Sequence, residues 1–104
     1  MPEYVVALTT CPSDKSEDLA RSLVEERVCA CVNIVSSMKS IYHWKDEIVT
    51  DEESLLIMKT QADHKDALWE AIKSRHPYEV PEFVVLPIKW GSQDYLDWIS
   101  TSIS

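Results

Sequence analysis

Six side chains in this sequence are of types that bind soft or borderline metal ions. Three are cysteines and three are histidines. Thiolate and imidazole are the ligands that copper and zinc prefer in proteins, so the set indicates binding of copper or another divalent cation. Their spacing along the chain does not define a site, and the elements that position them must decide which can meet. The six residues are Cys11, Cys29, Cys31, His43, His64 and His76.

The usual sequence signatures of enzymes are absent. There is no nucleophile elbow and no HExxH metal motif, and Gly91, the only glycine, cannot supply a glycine-rich phosphate loop. His76 and Glu79 offer an acid and a base, but two residues alone define no reaction. We therefore expect a binding protein rather than an enzyme, with no organic cofactor.

Charge and composition restrict the partners and the compartment. The formal net charge is −8 and the pI is about 4.7, whereas nucleic-acid binding needs clustered Lys and Arg. No stretch approaches the roughly 20 apolar residues of a membrane span, and the N-terminus lacks the pattern of an export signal. Three cysteines, an odd number, do not form a disulfide framework of the secreted kind. We expect a cytoplasmic protein that binds neither nucleic acid nor membrane.

The apolar periodicity predicts one domain over residues 1–104, with seven elements. Their order is strand, helix, strand, strand, helix, strand, helix, which contains the split pair of β-α-β units of the ferredoxin-like fold. We therefore predict an α+β sandwich with a long hairpin and an extra C-terminal helix; another open sheet carrying three helices is the alternative. The first predicted strand is Tyr4–Thr10 and the last is Phe83–Ile88. Between them, one hairpin arm begins at Cys31, the chain turns at Lys45-Asp46, and the second arm ends at Thr60. The predicted helices begin at Ser13 or Asp14, at Ala62-Asp63 and at Ser92.

The predicted topology brings two of the six metal-binding side chains together. Strand one and helix two end at the same edge of the sheet, which places Cys11 and His76 there. Cys29, Cys31 and His64 fall at the opposite end, roughly 20 Å or more away, too far to share one ion within one chain. We expect both distal cysteines to be buried core residues and Cys11 to be more accessible, while His76 has an alternative role in closing helix two.

The predicted hairpin is too long for a single compact copy of the chain. Each arm has about 14 residues and a length of about 45 Å, whereas a domain of this size has a radius of gyration near 13 Å. Strand two lies at the edge of the predicted sheet and carries Ile41, Tyr42 and Trp44, and an unpaired apolar edge promotes aggregation. We expect strands of neighbouring subunits to pair there. The alternative is a bulge that bends the hairpin back onto its own helices.

Several segments along essentially the whole chain resemble the CutA-type divalent-cation tolerance family. The most specific is the block from His76 to Glu82, taken together with the others. One departure is the turn at Lys45-Asp46-Glu47, where the family usually has glycine. The similar segments are Thr10-Cys11-Pro12, Leu23 to Glu26, Ala30 to Asn33, Ser40 to Trp44, Leu55-Leu56, Lys59-Thr60, His76 to Glu82 and Tyr95 to Ile99.

The resemblance implies a ferredoxin-like homotrimer with strand pairing between subunits, similar in build to the nitrogen-regulatory signal-transducing trimers. It also implies a link to divalent-cation tolerance and to copper. In relatives, a proposed copper site joins a strand-one cysteine to histidines before the Pro-Tyr segment. Cys11 and His76 match it here, with Arg75 in place of the first histidine and Thr9 where some relatives carry the cysteine. The resemblance thus makes Cys11 and His76 the candidate metal ligands.

A second hypothesis, of a different class, is a signalling or adaptor trimer. Such a protein would bind a small anion in a cleft between subunits. The basic residues that we expect to serve it are Lys59, Arg75 and Lys89. Calorimetry with copper, zinc and a nucleotide panel distinguishes the two hypotheses by the ligand that binds.

Overall fold

The computed structural model describes residues 2–104 and confirms the predicted order of elements. One antiparallel sheet has the strand order β2-β3-β1-β4, and its two β-α-β units make the fold ferredoxin-like. The elements are β1 Tyr4–Cys11, α1 Ser13–Glu25, β2 Cys31–Trp44, β3 Glu47–Gln61, a 3-10 turn Ala62–His64, α2 Lys65–Lys73, β4 Val84–Pro87 and α3 Gln93–Ser102.

Strands β1 and β3 each end one residue later than predicted, and the bounds of β4 and α2 differ as well. Strand β4 covers four residues instead of six, and it pairs with β1 from Val84 to Pro87. Pro87 is tolerated because β4 is an edge strand and its nitrogen faces away from β1, and the backbone N–H of Ile88 still donates a hydrogen bond to Tyr4 O at 2.9 Å. Helix α2 begins at Lys65 rather than at Ala62, because the first three residues after β3 form a 3-10 turn.

One face of the sheet packs against α1 and α2 and forms the core. Residues of the same parity on the paired strands β1 and β3, such as Ala7 and Met58, point to this side and are fully buried. The helices contribute apolar side chains at helical spacing, as the sequence predicts. The largest fully buried side chains of this cluster are Leu23, Leu56, Met58, Leu68 and Ile72.

The opposite face of the sheet is only partly covered. Helix α3 lies across the start of β1, where Ser100 Oγ is 2.5 Å from Tyr4 Oη and donates a hydrogen bond to Gln61 at 2.7 Å. Beyond this contact, apolar side chains of the same face remain more than a third exposed; they are Val35, Val84 and Leu86. A single chain therefore leaves an apolar sheet surface open.

The β2-β3 hairpin contains a bulge and a tight turn. Pairing shifts register between Val35 and Met38, and Ser37 adopts φ 59° in this irregular segment. At the tip, Lys45 and Asp46 have φ of 50° and 65°, the left-handed pair that a two-residue hairpin turn of type I′ requires. The chain thus builds this turn without the glycine that is usual in the family it resembles.

Past the bulge, the hairpin projects from the rest of the molecule. The longest dimension is 45 Å against 26 and 22 Å for the others. Ile41 is 67% exposed and Ile48 is 70% exposed, so the hairpin does not fold back over its own helices. The alternative of a folded-back hairpin is wrong, although the predicted bulge is present.

Candidate functional site

The structure brings Cys11 and His76 to the same end of the sheet, as the topology predicts. Cys11 is the last residue of β1, and His76 follows α2. The imidazole Nε2 of His76 lies 2.6 Å from the carbonyl oxygen of Thr10, the residue next to Cys11. Cys11 pairs with Ser54 near the start of β3 and Cys31 pairs with Lys59 near its end, so the two cysteines lie toward opposite ends of the sheet.

Both ring nitrogens of His76 are engaged by the backbone. Nδ1 accepts a hydrogen bond from the backbone N–H of Tyr78 at 3.1 Å, so Nε2 carries the proton and donates it to Thr10 O. The imidazole also packs against the Tyr78 ring, with 4.7 Å between centroids. In this arrangement His76 ties the segment after α2 to the end of β1, and neither nitrogen has a free lone pair for a metal.

The expectation that Cys11 is the accessible thiol is wrong. Its side chain is fully buried because position 11 has the same parity as Ala7 and points toward the helices. Burial raises the pKa of the thiol to about 11, with smaller contributions from the carboxylates of Glu53 and Asp14. The thiol therefore holds its proton at neutral pH, which opposes metal binding and reactivity.

The other two cysteines differ from each other. Cys29 is fully buried, as predicted, and burial followed by the neighbouring Cys31 raises its pKa to about 12. Cys31 was expected to be buried as well but is only partly so; its Sγ lies 3.8 Å from Asn33 Oδ1. Cys31 begins β2 on the sheet face opposite α1 and α2, which α3 covers only in part, and this explains its partial exposure.

We predict that Cys31 is the first thiol to react with a disulfide reagent at about pH 8. Cys11 and Cys29 should react only when the protein unfolds, because burial keeps both protonated and out of contact with solvent. The measurement is the time course of labelling with and without denaturant. Cys31→Ser should remove the fast phase, and a fast phase that survives this substitution would show that a buried thiol is accessible.

A cavity of about 670 Å³ opens beside Cys11 and His76, between the hairpin and the segment that follows α2. Its walls include the aromatic side chains Tyr42, Trp44 and Tyr78. Its charged lining residues are all acidic; they are Glu53, Glu79 and Glu82. The sequence analysis did not single out Glu53, which is only 5% exposed and whose Oε2 accepts a hydrogen bond from Tyr78 Oη at 2.8 Å.

The acidic residues of this cavity affect the pKa values of the side chains that line it. Burial and then the Glu53 carboxylate raise the pKa of Glu82 above its ordinary value. The pKa of Tyr78 is also raised, because the phenol is buried and hydrogen-bonded to Glu53. Burial is the larger cause of both pKa shifts, and the Glu53 carboxylate contributes to each of them. A cation in the cavity would be favoured by the same carboxylate.

A ready-made metal cluster is not present in the part of the chain that the structure describes. Among residues 2–104, no group of three or more His, Cys, Asp or Glu side chains is arranged to hold an ion. Cys11 and His76 are near each other, but the first is protonated and the second is bonded on both nitrogens. Metal ligation by this pair requires a local rearrangement.

The three basic residues proposed for anion binding lie in different surroundings. Lys59 Nζ is hydrogen-bonded to Asn33, Arg75 is paired with Glu26, and Lys89 lines a second cavity beside α3. Neither of the two cavities contains more than one of them. The predicted anion cleft lies between subunits, so the role of Lys59, Arg75 and Lys89 stays a prediction.

Comparison with known proteins places the chain in a family. A family sequence model described as "CutA1 divalent ion tolerance protein" matches residues 5–102. The chain belongs to the CutA1 family. The resemblance found in the sequence motifs is thereby confirmed.

Relatives within the CutA1 family cover most of this chain. The divalent-cation tolerance protein CutA of Thermus thermophilus is 50% identical over 97 residues, which are 93% of this chain and 94% of that protein. Protein CutA 1, chloroplastic, of Oryza sativa is 43% identical over 98% of this chain, but the chain spans only 58% of its length. A crystal structure of CutA1 from Oryza sativa is 42% identical, with a TM-score of 0.95 and coverage of 98% of this chain and 94% of that one.

The family assignment accounts for the fold, which the solved CutA1 structures share. No helix within residues 2–104 is both long enough and apolar enough to cross a membrane.

Proposed function

We propose that this chain is a cytoplasmic, non-catalytic protein of divalent-cation tolerance that works as a homotrimer and binds copper or a similar cation. The proposal rests on one observation, which is that Cys11, His76 and the carboxylate of Glu53 lie close together at the same end of the sheet. Soft ligands and negative charge at one place suit a cation rather than an anion.

Two uncovered surfaces support the trimer. The projecting hairpin carries exposed Ile41 and Ile48 on one face, since these residues occupy neighbouring positions in the β2-β3 register. The sheet face opposite the helices leaves Val84 and Leu86 exposed as well. Contiguous apolar surface of this kind marks interfaces between proteins. Strand pairing along the edge of β2 would cover the hairpin. The proposed number of subunits, three, comes from the family resemblance.

The proposed ligands are Cys11 and His76, and both must change state to bind. The Cys11 thiol must lose its proton, and Nδ1 of His76 must lose the hydrogen bond from Tyr78 N–H before its lone pair is free. Each change costs free energy, so binding is coupled to a local movement of the segment after α2. The Glu53 carboxylate beside Cys11 favours the approach of a cation to this end.

We predict that copper binding under reducing, anaerobic conditions depends on Cys11 and His76. Cys11→Ser or His76→Ala should weaken binding at least about tenfold, whereas the double variant Cys29→Ser, Cys31→Ser should leave it within about twofold. Binding should strengthen as pH rises, because the Cys11 thiol, whose pKa is raised to about 11, must lose its proton to bind the metal. Calorimetric titration at about pH 6 and about pH 8 measures this. Loss of binding only in the double variant would locate the site at the other end of the sheet.

The same calorimetry tests the adaptor hypothesis. Nucleotides are the matched anionic probes, and neither of the two cavities described above contains more than one of Lys59, Arg75 and Lys89. We therefore expect no saturable nucleotide binding. Nucleotide binding that is lost on Lys89→Ala or Arg75→Ala would favour the adaptor over the metal protein.

A further inference from the structure

The cavity beside the hairpin has the size of a small-molecule site. Its volume of about 670 Å³ lies inside the range of roughly 300 to 1,000 Å³ that is typical of ligand pockets. A bare metal ion with its ligands needs far less space. The apolar wall includes Ile41, Pro77 and Val80, next to the aromatic rings of Tyr42 and Trp44. Such walls suit a ligand with an apolar body.

Glu53 gives this cavity a buried and fixed negative charge. The residue is more than nine-tenths buried, and Tyr78 Oη donates a hydrogen bond to Oε2. Its other oxygen, Oε1, receives no hydrogen bond from residues 2–104. Every side-chain oxygen of these residues that is fully buried has a hydrogen-bond partner, so Oε1 must be in contact with solvent. Glu53 also lines the cavity, so a ligand inside it would lie next to this carboxylate.

The rest of the lining contains no compensating positive charge. Glu79 and Glu82 add carboxylates, and no Lys, Arg or His belongs to the walls. Burial and then Glu53 raise the pKa of Glu82, which is the response expected of carboxyl groups that share a site without a counter-ion. The face of Trp44 already attracts one cation, since Lys45 Nζ lies 5.8 Å from its ring centroid.

We propose that this cavity binds an organic cation, a primary alkylammonium or arylalkylammonium group with an apolar body. The ammonium group would donate to Glu53 Oε1, and the body would pack against Trp44 and Val80. A divalent metal fits less well, because the side chains of residues 2–104 form no group of three that could coordinate an ion. The proposal does not depend on Cys11 or His76 and therefore goes beyond the metal-binding function proposed above.

Benzylamine, with benzyl alcohol as its uncharged analogue, tests the proposal on the full chain by calorimetry at low salt. We expect saturable benzylamine binding with one site per chain and at least about tenfold weaker binding of benzyl alcohol. Glu53→Gln should weaken benzylamine binding at least about tenfold. The control is Glu70→Gln on α2, an exposed carboxylate outside the cavity, which should leave it within about twofold.

Several outcomes would overturn the proposal. These are no saturable benzylamine binding, equal binding of benzyl alcohol, or unchanged binding in Glu53→Gln. Displacement of benzylamine by Mg²⁺, beyond the effect of sodium chloride at the same ionic strength, would assign the cavity to a metal instead. Because Glu53 is buried, melting followed by circular dichroism must show that Glu53→Gln folds. If it does not fold, Glu79→Gln on the exposed rim takes its place, with at least about threefold weaker binding expected and unchanged binding contradicting the proposal.

Discussion

Replacing Ile48 with aspartate is expected to weaken self-association at least about tenfold, and Trp44→Ala is expected to do so as well. Ile48 is 70% exposed in the single chain, so its substitution removes almost no contact within one copy. If strands of neighbouring subunits pair along the hairpin, each assembly instead buries several aspartates in an apolar interface, which is costly. Sedimentation velocity over a concentration series measures the change.

Val24→Asp is the matched control for this experiment. Val24 is another exposed β-branched residue, but it lies on α1, away from the hairpin and the open sheet face. Its substitution adds the same charge and should leave the mass unchanged. Equal association of the Ile48→Asp and Val24→Asp variants would show that the hairpin is not an interface.

Truncating Leu56 to alanine should lower the free energy of unfolding by about 2 to 5 kcal/mol. Leu56 lies on the central strand β3, is fully buried, and packs in the cluster between the sheet and the two helices. The substitution removes apolar contacts and leaves a cavity that a rigid strand between two paired neighbours cannot close.

Urea unfolding at one fixed protein concentration measures this loss, since oligomerisation makes stability depend on concentration. Val24→Ala, at an exposed helix position, should change the unfolding free energy by less than about 0.5 kcal/mol. A loss below about 1 kcal/mol for Leu56→Ala would contradict the placement of Leu56 at the centre of the core.

The sequence predicted the fold because local periodicity and element order are enough to define it. Alternating apolar residues in β2, apolar runs in β1 and β3 and helical spacing in α1 and α2 led to the correct order of elements. The register shift near Ser37 could be named only as an alternative, because no glycine marks the left-handed residue. Its consequence, a projecting rather than a folded-back hairpin, depends on tertiary geometry.

The site was less predictable, for reasons that particular residues make clear. Cys11 has the parity of Ala7 and Thr9, so its burial could have been inferred, but the adjacent proline suggested an accessible strand end. The hydrogen bonding of the His76 imidazole depends on the Thr10 carbonyl, which is 66 positions away in sequence. Glu53 stands in an acidic run that resembles a solvated surface, and only its bond to Tyr78 explains its burial.

The most direct test of the proposed trimer is the solution mass of the unsubstituted chain, measured by light scattering at about micromolar concentration. The uncovered hairpin and sheet face, with the family resemblance, predict a single species of three times the 11.9 kDa chain mass. A stable species of 11.9 kDa at that concentration would contradict both the trimer and the pairing of strands between subunits.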